Sequence, residues 1–422
     1  MSNGATYSRV LINISNPEDY RFFKRVFAAP GASACKIDFV ANNLIMYVYL
    51  KLKGETVFMP RRKRGRTCRE DNFSIRTGRL TQTQADRVYS GFFDFIERHQ
   101  PKHRWDLYIL PSGRLASQSA LADYARGNGA RGGGTRANGI DLLYTGYGNI
   151  GNKTFADPQG TDMQSYLYQH VEILDDYPVD IEAFRRWKHD YTQARMQKHV
   201  IGQARKLDFK TVFQKFVQVL GCRIEAVLGL AGENAYGFDE LKKLKKADDV
   251  ALDEMDWETP YLFFPLQVST DAQIILNYSK GSVIDGLKDA IAIARKKGLR
   301  LVIKPHPAEI NQAIPAILSQ LRREHGFLIV NENTFRLLDR AEEVVTINST
   351  VGLEAKLLDK SVTFLGNTFY AHFDERRLAA YIEHYLVDED YFRDTPFSEA
   401  NFAKLMERAR LSTLERSESE VA

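Results

Sequence analysis

The sequence predicts an α/β protein: two Rossmann-type halves, each built on a parallel sheet, with a helical insert between them. Three observations predict it. Short apolar runs alternate with helical patterns from Arg9 to Gly146. From about Ser165 to Asp256 that alternation gives way to long helical patterns, and at Thr259 it returns and runs to Gly366. Strands alternating with helices argue for parallel pairing, because parallel strands need a crossover rather than a tight turn.

Each element can be justified in order. "RVLINI" (Arg9 to Ile14) reads as a buried strand, followed by a helix through "PEDYRFFKRVFAA". "KIDFVAN" and "VFMP" read as strands flanking a helical "NNLIMYVYLKLKG". "WDLYIL" (Trp105 to Leu110) is a strand, "SALADYARGNGA" a helix ending at glycines, and "IDLLYTG" (Ile140 to Gly146) the next strand. In the insert, "FRRWKHDYTQARMQKHV" and "FKTVFQKFVQVLGCRIEAVLGLAG" are helical and "DELKKLKKADD" is a charged segment. Four strand–helix units follow, opening on "LFFPLQV", "LRLVIKP", "FLIVNE" and "EVVTINS", and "KSVTFLG" adds a last strand. The expected partition is residues 1–165, 166–256, 257–370 and a helical tail 371–422.

Composition bounds the function. With 44% hydrophobic and 27% charged residues the chain is of the soluble globular kind, and 422 residues suggest two or three domains. A net charge of +4 falls short of a nucleic-acid protein and suits an anionic substrate or membrane surface. Cys35, Cys68 and Cys222 form no CxxC pair, so neither a disulfide framework nor a zinc site is indicated. The start lacks a basic-then-apolar leader, and no run of about 18 apolar residues occurs. The expected location is the cytoplasm, soluble or peripheral at the inner face of the cell membrane.

Three polar clusters fall where strands of the second half end, which is where open α/β sheets bind ligands. After the first strand come Gln267, Ser269, Thr270, Asp271 and Gln273; Asp271 reads either as a turn cap or as a reactive carboxylate. "VIKPHP" presents Lys304 and His306 between prolines, either as a rigid surface turn or as groups for phosphate oxygens. "INSTVGLE" sets Asn348, Ser349, Thr350, Gly352 and Glu354 at a helix start. Capping explains the hydroxyls, and a helix N-terminus also favours an anion. Together the three describe a nucleotide-phosphate cradle.

"LQVSTDAQI", "VIKPHP", "VVTINSTVGLEAKLL" and "FLGNTFY", in this order and spacing, resemble the capsule polysaccharide biosynthesis family, whose members include KpsC/KpsS-like β-Kdo transferases using CMP-Kdo. The likeness covers about Pro260 to Tyr370; the N-terminal half matches in layout, through "WDLYILPSGR" and "GIDLLYTGYGN". The resemblance implies a GT-B-like fold of two facing domains, the N-terminal one on the acceptor side. It also implies a glycosyltransferase that takes Kdo or a related ulosonic acid from a CMP-activated donor to a glycan or lipid-linked acceptor.

By the same resemblance His306, Ser349 and Thr350 would hold the CMP phosphate, with Lys304, Asn348 and Gly352 beside them, and Asp271 would be catalytic near the anomeric carbon. Gln267, Gln273 and Glu354, and on the acceptor side Tyr147, Asn149 and Asn152 of "TGYGNIGNKTF", are candidate substrate contacts. One departure stands out: related transferases often carry an acidic pair where this chain has Tyr144 and Thr145. Rival readings are a CDP-glycerol-type glycerophosphotransferase and a non-catalytic capsule-assembly protein that binds glycan or nucleotide.

A CMP leaving group needs no cofactor and no metal, since one phosphate can be neutralised by side chains and a helix N-terminus. The Asp-x-Asp at Asp388 to Asp390 reads as a solvated face. "PRRKRGR" (Pro60 to Arg66) reads as a solvated loop first and a contact for an anionic lipid-linked acceptor or membrane second. Without aromatic interleaving it is not a nucleic-acid site.

Overall fold

The computed structural model describes residues 7–127, 138–197, 209–234 and 250–411. The glycine-rich run 128–137 and the charged segment 239–249 lie outside the described residues. The chain divides into two compact units. The first comprises Met1–His170, Gln214–Phe238 and Glu383–Ala422; the second comprises Val171–Phe213 and Asp239–Ile382. This differs from the four consecutive segments expected, because the insert does not stand alone. Its helix Ile181–Met196 belongs to the second unit, most of the helix Phe209–Leu228 to the first, and the C-terminal segment from Glu383 to the first.

The first unit holds a six-stranded sheet in the order β3-β2-β1-β4-β5-β6: β1 (Arg9–Ile14), β2 (Lys36–Ala41), β3 (Val57–Phe58), β4 (Leu107–Pro111), β5 (Asp141–Tyr147) and β6 (Thr154–Asp157). All pairs are parallel except β5–β6. Strand alternation divides the apolar residues between two layers. Val10, Ile12, Leu107 and Ile109 pack on one face with Phe22, Phe23, Phe402 and Leu405. Leu11, Tyr108 and Leu110 pack on the other with Phe92, Ile96, Ala120 and Leu121. Burial on both faces is why these strands read as continuous apolar runs.

Helix ends in this unit follow local chemistry. Asn16 accepts the amide of Asp19 at 2.8 Å ahead of Pro17, and Asn43 accepts that of Met46 at 2.9 Å. The 22-residue helix Gln82–His103 is absent from the expected elements; it opens with a reciprocal Thr81–Gln84 capping box. The antiparallel strand β6 is likewise unexpected.

The second unit holds a five-stranded, wholly parallel sheet in the order β11-β10-β7-β8-β9: β7 (Tyr261–Pro265), β8 (Arg300–Lys304), β9 (Leu328–Ile329), β10 (Glu343–Thr346) and β11 (Val362–Phe364). Leu262, Phe264, Leu301 and Ile303 pack against helices Val283–Lys297 and Ala313–His325. Tyr261, Phe263 and Val302 face Leu337, Leu338 and Ala355 on the other side. Both of those first helices stop at glycines in the left-handed region, Gly298 (φ 67°) and Gly326 (φ 70°). The strand order reverses between β7 and β10, and between β1 and β4 in the first sheet, so each sheet has one switch point.

The helix Gln82–His103 lies so close to the basic run that a Cβ on Gly91 would collide with the carbonyl oxygen of Arg61. Gly91→Ala is therefore expected to destabilise the first unit by about 1–3 kcal/mol through overpacking. Calorimetric melting checks this, and an unchanged transition would show the contact to be compliant.

Candidate functional site

The second sheet's switch point is closed at its floor by two side-chain amides. Gln267, just past β7, donates Nε2–H to Asn348 Oδ1 at 3.1 Å and accepts the Asn348 amide N–H on Oε1 at 3.3 Å. Asn348 Nδ2 in turn donates to the Gln273 carbonyl at 2.9 Å. Both side chains are buried. Gln267, expected to contact substrate, and Asn348, expected beside the phosphate, thus use their side-chain polar atoms to brace the loops after β7 and β10, while Gln273 Oε1 accepts from Asn277 Nδ2 at 2.7 Å.

On that brace sit the groups of interest. Asp271 caps the helical turn Ala272–Asn277, accepting the Gln273 amide at 2.9 Å on Oδ1 and Gln267 Nε2 at 3.4 Å on Oδ2. The capping reading of Asp271 is therefore realised, and the cap fixes where its carboxylate points. Ser349 caps the helix Thr350–Leu357, with Oγ accepting from the Val351 amide at 3.2 Å; Thr350 is half-buried at its first position. Gly352 has a packing reason of its own: a Cβ there would strike the Phe364 ring, with Cζ 2.8 Å away.

His306 stands in the turn after β8. Its Nδ1 accepts the Ala308 amide at 3.1 Å and its carbonyl accepts that of Glu309 at 3.1 Å, so the neutral ring carries its proton on Nε2. Partial desolvation by its neighbours holds the exposed imidazole below the usual histidine range, against the opposing pull of the Asp271 and Glu309 charges; Lys304 pushes it the same way. Glu309 also ties this turn to the β7 loop, accepting Ser269 N at 2.7 Å and Ser269 Oγ at 3.0 Å. Asp271 and His306 therefore share one electrostatic neighbourhood, on loops cross-linked to each other.

Lys304, expected beside His306 on the phosphate, is committed elsewhere. Its ammonium donates to the Glu332 carbonyl at 2.7 Å and to Thr334 Oγ1 at 2.9 Å, in the turn after β9. Burial depresses its pKa, with the Glu332 and Glu354 charges opposing. Glu354 belongs to this second group. It is pushed up to about 7 by desolvation, although Arg195 and Lys304 both draw it down. Arg195 Nη2 donates to Glu354 Oε1 at 3.4 Å, and its guanidinium lies over the Tyr191 and Phe335 rings. Sequence reasoning missed Arg195; a basic residue closing a helix carries no local mark of its distant partner.

The first sheet's switch point is furnished differently. The helix Ala116–Ala125 after β4 starts at Leu115 without a capping side chain. Glu233, wholly buried, supplies the anion, accepting the amides of Ala116 at 2.8 Å and Ser117 at 3.0 Å and the Ser74 hydroxyl at 2.6 Å. Sequence reasoning missed Glu233 too; an uncapped helix start was the available signal.

The acceptor-side candidates serve the β5–β6 hairpin. Asn149 (φ 62°) and Asn152 (φ 57°) occupy left-handed positions that asparagine tolerates, and the Gly148 amide donates to the Lys153 carbonyl at 2.7 Å. Their identity is thus explained by turn geometry. Tyr147 is exposed beside Phe392, with centroids 4.8 Å apart. Tyr144 is buried and accepts from Arg126 Nη2 at 3.1 Å, while Thr145 is buried in the sheet. Within the Asp-x-Asp, Asp388 pairs with Lys153 and Asp390 with Arg393.

Residues 227–409 match the family model described as capsule polysaccharide biosynthesis protein. The chain is 34% identical over 120 residues to the protein FixF of Sinorhizobium fredii, spanning 28% of this chain and 29% of FixF. It is 34% identical over 119 residues to the capsule polysaccharide export protein KpsS of Escherichia coli, spanning 26% of this chain and 31% of KpsS. Each match thus spans under a third of the relative's length. Among solved structures, the β-Kdo 2,7 transferase of Thermosulfurimonas dismutans KpsC aligns over 94% of this chain and 98% of its own, with 14% identity and a TM-score of 0.40. That family match, over residues 227–409, takes in the turns after β7, β8 and β10 that carry Asp271, His306 and Ser349.

Proposed function

We propose that this protein is a glycosyltransferase of capsule or surface-glycan assembly that uses a CMP-activated donor, Kdo or a related ulosonic acid. The acceptor is a glycan or lipid-linked glycan, met at the inner face of the cell membrane. The observation that carries the reading is the contrast between the two switch points. In the first sheet a protein carboxylate, Glu233, occupies the helix N-terminus where an anion would bind. In the second, Asp271 and Ser349 cap the turns that follow β7 and β10, and His306 stands in the turn after β8 that Glu309 ties to the Asp271 loop. A single phosphate seated at the Ser349 cap would meet the dipole of the helix Thr350–Leu357 and the Nε2–H of His306. Those groups balance its charge without a metal ion in this reading. Asp271, held by its own cap, would face the anomeric carbon as nucleophile or electrostatic stabiliser.

Release of CMP from CMP-Kdo by the purified protein, with CDP-glycerol as the parallel donor, tests the reading. Release from CDP-glycerol alone would replace it with a glycerophosphotransferase, and release from neither would favour a non-catalytic binder. Asp271→Asn keeps a capping oxygen and is expected to lower transfer at least about a thousandfold while CMP still binds. Turnover near wild type would remove Asp271 from the chemistry.

His306→Ala is expected to weaken CMP binding about tenfold, the loss of one charge-assisted hydrogen bond. A bound phosphate favours imidazolium, whose added proton displaces the Ala308 amide from Nδ1, so calorimetric titration of the wild type should show affinity rising as pH falls through the depressed histidine range. The variant should lack that slope, and a slope retained in it would assign the titration elsewhere.

Glu354 makes a separate prediction about stability. Its folded pKa of about 7 lies above its unfolded value, so the native state retains a proton that the unfolded chain has lost. Stability therefore falls with rising pH between about 4.5 and 7, by about 3 kcal/mol in all, and the penalty is complete above that window. Glu354→Gln should melt with a correspondingly flatter pH dependence than wild type across it, and parallel profiles would contradict the assignment.

A further inference from the structure

The helix Phe209–Leu228 turns an apolar face outward from Phe216 to its end. Val219, Gly221 and Glu225 face inward, whereas Phe216, Leu220, Ile224, Val227 and Leu228 are exposed, Val227 at 86%. Their spacing of three and four residues puts them on one face, over about 18 Å of helix. The neighbouring helix Leu44–Leu52 extends the patch. The two helices meet where the Leu44 amide donates to Glu225 Oε1 at 2.7 Å and a Cβ on Gly221 would lie 3.3 Å from Ile45. Leu52, 83% exposed, lies between exposed Lys51 and Lys53.

At the other end the helix runs into the basic segment. Arg62 donates its amide to the Gly229 carbonyl at 2.8 Å and Arg61 pairs with Leu230. This sets exposed Arg61, Lys63 and Arg64 beside the apolar face. An apolar strip with cations at both ends complements one kind of surface, a bilayer with anionic headgroups, where apolar side chains enter the acyl boundary and the cations stay at phosphate level. Among the described residues no helix is long and apolar enough to cross a membrane, so the contact is with the membrane's face.

We propose that this patch docks the protein on an anionic lipid surface. The inference deepens the membrane contact of the proposed function and is independent of the donor assigned there. Flotation measures no turnover, so the two readings fail separately. The test is co-flotation of the full chain with vesicles of equal parts phosphatidylglycerol and phosphatidylethanolamine, against pure phosphatidylcholine.

Wild type should float with the anionic vesicles, be released by high salt and ignore the zwitterionic ones. A variant carrying Phe216→Ser, Ile224→Ser and Val227→Ser, and another carrying Arg61→Ser, Lys63→Ser and Arg64→Ser, should each lose at least about tenfold in affinity. Unaltered thermal melts of both variants would show that docking, not folding, was lost. Failure of wild type to float, wild-type flotation by either variant, or a dimer in solution that the apolar variant converts to monomer would overturn the proposal. The last outcome would assign the patch to a second copy of this chain.

Discussion

The candidate site rests on the pair of amides at the β7–β10 junction. Where a parallel sheet changes winding direction, the two chains leave adjacent strands toward opposite edges and open a gap. Polar groups at the floor of such a gap lose water and must find partners. Gln267 and Asn348 answer each other and the Gln273 backbone, in a setting where low dielectric strengthens each bond. Everything above, from the Asp271 cap to the Ser349 helix start, takes its position from this floor. The Ser269–Glu309 link then carries the same order across to the His306 turn.

The corner Lys304-Pro305-His306-Pro307 separates two chemistries rather than pooling them. His306 remains with the Asp271 loop, and Lys304 sits with Glu354 under the turn after β9. The second group holds two cations around one carboxylate that burial keeps reluctant to ionise. Such a group changes its net charge near neutrality, which a compact surface ion pair would not do.

Much of this was legible in the sequence. The strands were, because burial on both faces writes them as unbroken apolar runs, as in "RVLINI" and "YLFFP". Asp271, His306 and Ser349 were legible as polar residues after such runs. The helix Gln82–His103 was harder to read: its apolar residues serve a broad buried face and a proline falls near its end. The hairpin strand β6 was hidden because Asn149, Gly151 and Asn152 make a left-handed turn that reads as a glycine-rich loop. Arg195 and Glu233 could not be read at all in their roles. Each acts on an element more than a hundred residues away, and only the fold brings them there.

The threading of the chain has a consequence for biosynthesis. It passes between the units after residues 170, 213, 238 and 382, and the first unit takes core residues from its last segment. Tyr391 stacks on Phe22 at 4.1 Å, and Phe402, Leu405 and Met406 complete the layer that Phe22 and Phe23 begin. Emerging from the ribosome, the first sheet must therefore wait, with one face partly bare, while the whole second unit is translated. The second unit lacks only Val171–Phe213 from outside its main run and can close earlier. Folding order thus runs against chain order, and the nascent N-terminal sheet is the stage at which chaperones have most to shield.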